Sequence, residues 1–175
     1  MNRDAGWQAG EVTTPPVELR EPRHLVSPRA IHQWRAEALL VAIWPIAGGV
    51  VAWLWPGSPT WTPWLALGIV AVAAIVVAVL PRVRYSIHRW DIDDDAVHTR
   101  RGLLTVEDRI APLSRVQTVD SVQNALQRLF RLRSLTVTTA SAAGPIRIDG
   151  LDADLAQKLV AELTAITARE RDDAT

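Results

Sequence analysis

Between positions 38 and 81 the chain contains no Asp, Glu, Lys, Arg or His, and a turn-rich octapeptide (PGSPTWTP, 56–63) divides this uncharged stretch into two apolar runs. The first run, 38–55, would extend roughly 27 Å as a helix, close to the hydrocarbon thickness of a bilayer. The second, 64–80, is about as long and is expected to end at Pro81, since proline cannot continue a hydrogen-bond ladder. A connection this short makes the two helices antiparallel neighbours. Ser27 and Pro28 form a favourable helix start. Pro45, Gly48 and Gly49 would weaken a water-soluble helix but are tolerated in lipid. Ala38, Ala42, Gly48 and Ala52 on one run, with Ala74 and Ala78 on the other, are small enough for close helix contact. Positions 27–81 are therefore expected to be a two-helix transmembrane hairpin.

From position 82 the apolar period changes to two. Val83, Tyr85 and Ile87 alternate with Arg84 and Ser86; DIDDDA (91–96) makes a turn, and AVHTRRG resumes as strand. Leu104, Val106, Asp108 and Ile110 alternate with Thr105, Glu107 and Arg109, the pattern of a half-buried antiparallel strand. With RVQTV, SLTVTTA and IRID this makes about six or seven short strands, spaced as in a sandwich or barrel. A C-terminal helix follows, with Asp152 as N-cap and Leu155, Leu159, Leu163 and Ile166 on a face that must cover the sheets. The expected domain is 82–168. Positions 1–26 are polar, with Pro15, Pro16 and Pro22, and are expected to be a mobile, uncleaved tail; 169–175 are expected to be disordered.

Charge adds orientation. Arg29 and Arg35 precede the first run and Arg82, Arg84 and Arg89 follow the second, whereas the turn between has no basic residue, so both termini are expected on the cytoplasmic side. Trp53, Trp55, Trp61 and Trp64 crowd the turn and Trp34 sits at the other end, as headgroup-level indoles do. The chain has no Cys, which excludes disulfides, thiolate metal sites and a thiol nucleophile. Its net charge is zero, with 19 basic and 19 acidic residues, so nothing points to nucleic acid.

The run RGLLTVEDRIAPLSRVQTVDSVQNALQRLFRLRSLTVTTA resembles the bacterial PH-like domain family of YdbS- and YdbT-type membrane proteins, formerly a domain of unknown function. The resemblance covers 85–165. It rests on Arg101-Gly102 after a strand, then Ile110, Pro112, Leu113, Arg115, Val116 and Gln117, then Gln123, Leu126, Arg128 and Leu132, and the strand end Thr138-Thr139-Ala140. Where the family usually has Gly before the leucine matched by Leu132, this chain has Arg131. The resemblance implies two orthogonal antiparallel sheets, a partly open barrel, capped by a C-terminal helix: an α+β PH-like domain behind an α-helical membrane hairpin. It implies no particular activity, because one fold hosts many.

Candidate chemistry is sparse. Asp91, Asp93, Asp94 and Asp95 resemble the opening of a calcium loop, but an EF-hand needs Gly at its sixth position and Glu at its twelfth, where this chain has Ala96 and Gly102. A solvated turn is the better expectation. His88 and His98 lack an evident third ligand and are expected at the surface. There is no Gly-x-Ser-x-Gly elbow or phosphate-binding Gly loop, so neither a catalytic residue nor a cofactor is expected. Arg82, Arg84, Arg89, Arg100 and Arg101 lie near the membrane end of the domain and are candidates for headgroup contact, worth about 1 kcal/mol each. Val122, Leu126, Leu129, Phe130 and Leu132 form an apolar set for burial under the sheets or for docking a protein partner. The expected partners are the lipid bilayer and either another protein or a second copy, with the chain acting as a non-catalytic scaffold or interaction module. The alternative is an accessory subunit or small homo-oligomeric pore whose hairpin is the working part, although the runs carry no ionisable residue of the kind that marks ion routes.

Overall fold

The computed structural model describes residues 22–93, 96–103, 105–140 and 144–173. The chain runs β1 (His24–Leu25), α1 (Arg29–Leu54), α2 (Thr62–Ile87), β2 (Arg89–Ile92), β3 (Ala96–Gly102) and β4 (Val106–Pro112). A 3₁₀ turn (Leu113–Arg115) leads to β5 (Val116–Val122), α3 (Ala125–Leu129), β6 (Leu132–Thr139), β7 (Ile146–Asp152) and α4 (Ala153–Asp173). The strands form two antiparallel sheets, β1-β2-β3-β4 and β5-β6-β7, not a closed barrel. Helix α4 packs on the second sheet and the 3₁₀ turn. This is a PH-like arrangement of sheets and C-terminal helix behind two apolar helices.

Helices α1 and α2 are 26 residues each and pack against one another, with almost all of their apolar surface left for lipid. The close contact is at Gly49, where an added Cβ would lie 3.2 Å from Ile69 Cδ1 and 3.6 Å from Ala66 Cβ; Gly48 faces open space. The expected helix end at Pro81 is not observed. Helix α2 passes through Pro81 to Ile87, so the strand expected over Val83, Tyr85 and Ile87 is helical. Pro81, Arg84, Tyr85 and His88 recur at i, i+3, i+4 and i+7 and turn inward, while Arg82, Val83 and Ser86 stay exposed. Tertiary packing of that stripe outweighs the proline's lost hydrogen bond, and Arg82 Nη1 donates to the Ala78 carbonyl (2.7 Å) in the disturbed turn.

The N-terminal boundary also moves. His24 and Leu25, expected in the tail, pair with Arg89 and Trp90 as an edge strand, and Val26 is fully buried. Of the tail expected over 1–26, positions 1–21 lie outside the described residues. Val26, Ala30 and Trp34 join the core with Trp90, Val97, Leu113, Leu132, Leu135, Val137, Ile148 and Leu163, so the first turns of α1 complete the domain. Ser27 N–H donates to the Gly150 carbonyl (2.9 Å). Gly150 has φ +78°, and an added Cβ would sit 2.8 Å from Ala30 Cβ; glycine is what lets α1 seat on β7.

In α4 the buried stripe is Ala156, Leu159 and Leu163, with Val160 and Ile166 half-buried; Leu155, expected on that face, is exposed. The Asp152 carboxylate accepts the Asp154 N–H (3.1 Å), the cap expected from its position. Helix α4 continues through Asp173, so 169–173 are helical, and 174–175 lie outside the described residues.

Candidate functional site

The inner face of the β3–β4 ladder changes character along its length. Val97 pairs with Ala111 in the core, Thr99 with Arg109 next, and Arg101 with Glu107 at the end nearest the hairpin. The period-two reading of β4 was right and its face was inverted. Val106 and Ile110 are exposed, while Glu107 and Arg109 point inward to half-buried positions. They do so because each finds a partner there. Arg101 Nε donates to Glu107 Oε2 (3.0 Å) and Arg109 Nε to Glu107 Oε1 (2.7 Å). Hydrogen bonds from Arg109 and then Arg101 hold the Glu107 carboxyl below its usual range.

A second charged group comes from β7. Asp149 accepts from Ser134 Oγ (2.7 Å) and Arg147 Nε (2.7 Å), with Arg84 Nη2 of α2 at 3.7 Å. Ser134 in turn accepts from Gln127 Nε2 (2.7 Å). Burial pushes the Asp149 carboxyl up, but its hydrogen bonds from Ser134 and Arg147 outweigh this and keep it below the usual range. Gln127 is positioned by a reciprocal capping box with Asn124, which starts α3. The Asn124-x-x-Gln127 spacing was the one sequence signal for this polar chain.

Arg84 lies 4.3 Å above the Trp34 ring, and His88 meets the same indole edge-on at 5.8 Å. His88, expected at the surface, is instead 4% exposed, because it closes α2 against the core. Burial is the main reason its pKa falls from 6.5 to about 4; Asp149 opposes that fall, and Arg84 and Arg101 add to it. The His88 Nδ1 has no hydrogen-bond partner.

These residues form the polar pole of a long groove of about 1250 Å³ between the hairpin and the domain. Trp34, Glu37, Arg84, His88, Arg101, Glu107 and Asp149 line that pole, with Gly102, Leu103 and Thr105 at the β3–β4 tip. Farther along, the walls are Val41, Ala42 and Pro45 of α1 and Leu65, Gly68, Ile69, Val72, Ala73, Val76 and Leu80 of α2.

Of the five arginines expected to act together, the structure brings only Arg84 and Arg101 to the groove. Arg82 is exposed on the outer side of α2, Arg89 pairs across the sheet with Arg100, and Arg100 reaches Asp108 (3.5 Å). Sequence reasoning missed Glu37, His88, Glu107 and Asp149. The apolar set around α3 divides. Leu132 is buried and Phe130 packs half-buried on the core; Leu126 is also half-buried, whereas Val122 and Leu129 are 56% and 73% exposed.

Among the aspartates of the expected turn, Asp91 is buried beside His24 Nδ1 (3.3 Å), and Asp94 and Asp95 lie outside the described residues. His98 sits opposite Asp91 in the β2–β3 ladder. Among the described residues no three His, Asp or Glu side chains gather as a metal site would require.

The bacterial PH domain model matches residues 36–167, three-quarters of the chain. The chain belongs to the bacterial PH domain family. Because the match begins inside α1, the family unit includes the hairpin as well as the sheets. The UPF0699 transmembrane protein YdbS of Bacillus subtilis (strain 168) is 24% identical over 156 residues, covering 84% of this chain and 96% of the Bacillus protein. No solved structure gives a significant match. With two helices long and apolar enough to span a bilayer and a transmembrane relative, this is a membrane-anchored member of the family. Arg131, which stands where the resemblance has glycine, adopts φ 54°, the left-handed conformation glycine favours. The Arg131 carbonyl accepts the N–H of Ala153 at the start of α4 (3.0 Å).

Proposed function

We propose that this chain is a non-catalytic scaffold of the bacterial plasma membrane, which presents its PH domain to a protein partner on the cytoplasmic side. The observation that carries this reading is the pair Val122 and Leu129. They stay exposed at either end of a segment in which Leu126 turns half inward, on a domain tied to its anchor through Ser27, Ala30, Trp34 and Arg84. Apolar side chains held outward on a fixed frame suit docking better than catalysis. The side of the membrane is argued from the arginines that flank both apolar runs and are absent from the turn between them.

The test is residue-specific labelling of the full chain in cells. A cysteine replacing Thr60 in the α1–α2 turn reacts with an impermeant thiol reagent from outside. One replacing Ser114, exposed in the 3₁₀ turn, reacts only after lysis. The reverse pattern places the domain outside and removes cytoplasmic partners. A photo-crosslinker at position 129 then yields an adduct that Val122→Asp diminishes; an adduct indifferent to that change sinks the docking surface.

A further inference from the structure

We propose that the β3–β4 tip is a third membrane contact of this chain, with the side chains of Leu103 and Val106 set into the leaflet that α2 leaves at Leu80. The level of the tip follows from the strand register. Measured along its axis, α2 rises roughly 12 Å from Leu80, the end of the uncharged run, to His88. Strand β2 starts at the next residue, and its Arg89 pairs with Arg100 of β3. Strand β3 returns toward the hairpin and overshoots that pair by Arg101, Gly102 and then Leu103, a descent of roughly 10 Å. Rise and descent nearly cancel, which brings Leu103 back to the level of Leu80. Accordingly β3 packs against α2, and Leu80 and Pro81 line the same groove as Gly102, Leu103 and Thr105.

Side chains change character at that level on all three elements. In the β3–β4 ladder Gly102 pairs with Val106 at the tip, and the next two pairs, Arg101 with Glu107 and Arg100 with Asp108, are charged. On α2 the apolar run ends at Leu80 and exposed Arg82 follows; on α1 Arg35 and Glu37 precede Ala38. One boundary thus divides apolar from charged side chains in hairpin and domain alike, as the limit of the hydrocarbon does.

The tip itself is built to present apolar groups outward. Leu103 and Val106 are 38% and 44% exposed, and their surface continues that of Leu80, itself 41% exposed on the lipid-facing hairpin. Gly102 has φ +134°, and an added Cβ would collide with the Thr105 carbonyl, so glycine is what lets the chain reverse this tightly. Backbone N–H and C=O groups of a turn cannot be left unpaired in hydrocarbon. The tip backbone therefore stays at the headgroup level, and only the two aliphatic side chains enter. The occupant that fits is lipid, because the tip extends the surface the hairpin already gives to the bilayer.

The chain has no cysteine, so a single one can carry a nitrobenzoxadiazole fluorophore in the full chain, reconstituted into nanodiscs of dioleoylphosphatidylcholine. Leu103→Cys and Val106→Cys report the tip. Ser114→Cys, exposed past the opposite end of the β3–β4 ladder, is the water reference, and exposed Ile75→Cys, roughly 8 Å deeper along α2 than Leu80, is the hydrocarbon reference. At 103 and 106 the emission should shift to the blue and quenching by iodide should be lost. Phosphatidylcholine with a nitroxide at acyl carbon 5 should quench both more than the same lipid with the nitroxide at carbon 12. The order should reverse at 75, and 114 should answer to iodide alone. The two tip positions are independent, so a variant that fails to fold leaves the other to decide. Iodide quenching at the tip equal to that at 114 overturns the proposal, because the tip then stands in water. Shielding from iodide and nitroxide lipid alike also overturns it, since protein, from this chain or a second copy, then covers the tip. Both quenchers reach either face of a nanodisc, so the result does not depend on which side of the cell membrane the domain occupies.

Discussion

Lowering the pH from about 7.5 to about 5 should destabilise the domain through His88. Its imidazole closes the C-terminus of α2 under Trp34, with Asp149 of β7, Arg84 of α2 and Arg101 of β3 acting on it. Burial is the largest influence, and the folded pKa is about 4 against 6.5 in an unfolded chain. The folded state therefore holds the ring neutral while the unfolded chain takes up a proton as pH falls through 6.5. Stability contributed by the neutral ring is whole above that value and is lost progressively down to about 4. The full loss is about 3 kcal/mol, and about 2 kcal/mol has gone by pH 5. The lowered carboxyls of Glu107 and Asp149 act in the same direction only at lower pH, below their ordinary 4.5 and 3.8, so the window from 7.5 to 5 isolates the histidine. The assay is denaturant unfolding of the full chain in detergent, followed by the β-sheet signal in circular dichroism, for the parent and for His88→Gln. The parent should lose about 2 kcal/mol across the window. The variant should start lower, because its amide is buried, and should lack that component of the pH slope. A flat parent profile, or an equal slope in both, would refute the assignment of a buried neutral imidazole.

Leu159 lies on the buried stripe of α4, and Leu159→Asp should cost at least about 3 kcal/mol, since the carboxylate would be desolvated without a partner. If its melting temperature matched the parent's, α4 would not pack on the second sheet. Arg131→Gly should raise stability by about 0.5 kcal/mol, the relief of left-handed backbone exceeding the extra entropy of an unfolded glycine. An unchanged or lower denaturation midpoint would show that Arg131 is unstrained at φ 54°.

The hairpin was legible because its signal is local: two uncharged runs of membrane-spanning length, with tryptophans crowding their turn, need no partner to be recognised. The strand and helix alternation after it was legible for the same reason, as was the cap at Asp152. Arg131 was visible as a departure from the family pattern, but only the backbone showed that it takes the glycine conformation.

Tertiary structure decided which face each period turns inward. Along 83–87 the same residues support either period two or the 81, 84, 85, 88 helical stripe. Seating Arg84 on Trp34 and His88 in the core selects the helix. In β4, apolar Val106 and Ile110 face out and charged Glu107 and Arg109 face in, because Arg101, its register partner on β3, gives Glu107 a counter-charge there. The groove is less legible still: Glu37, Arg84, His88, Arg101, Glu107 and Asp149 come from two helices, a helix cap and three strands. A periodicity records whether a side chain shares a face with its near neighbours. Which charged side chains it then meets across the groove depends on residues distant in the chain, as the pairing of Glu107 with Arg101 and Arg109 shows.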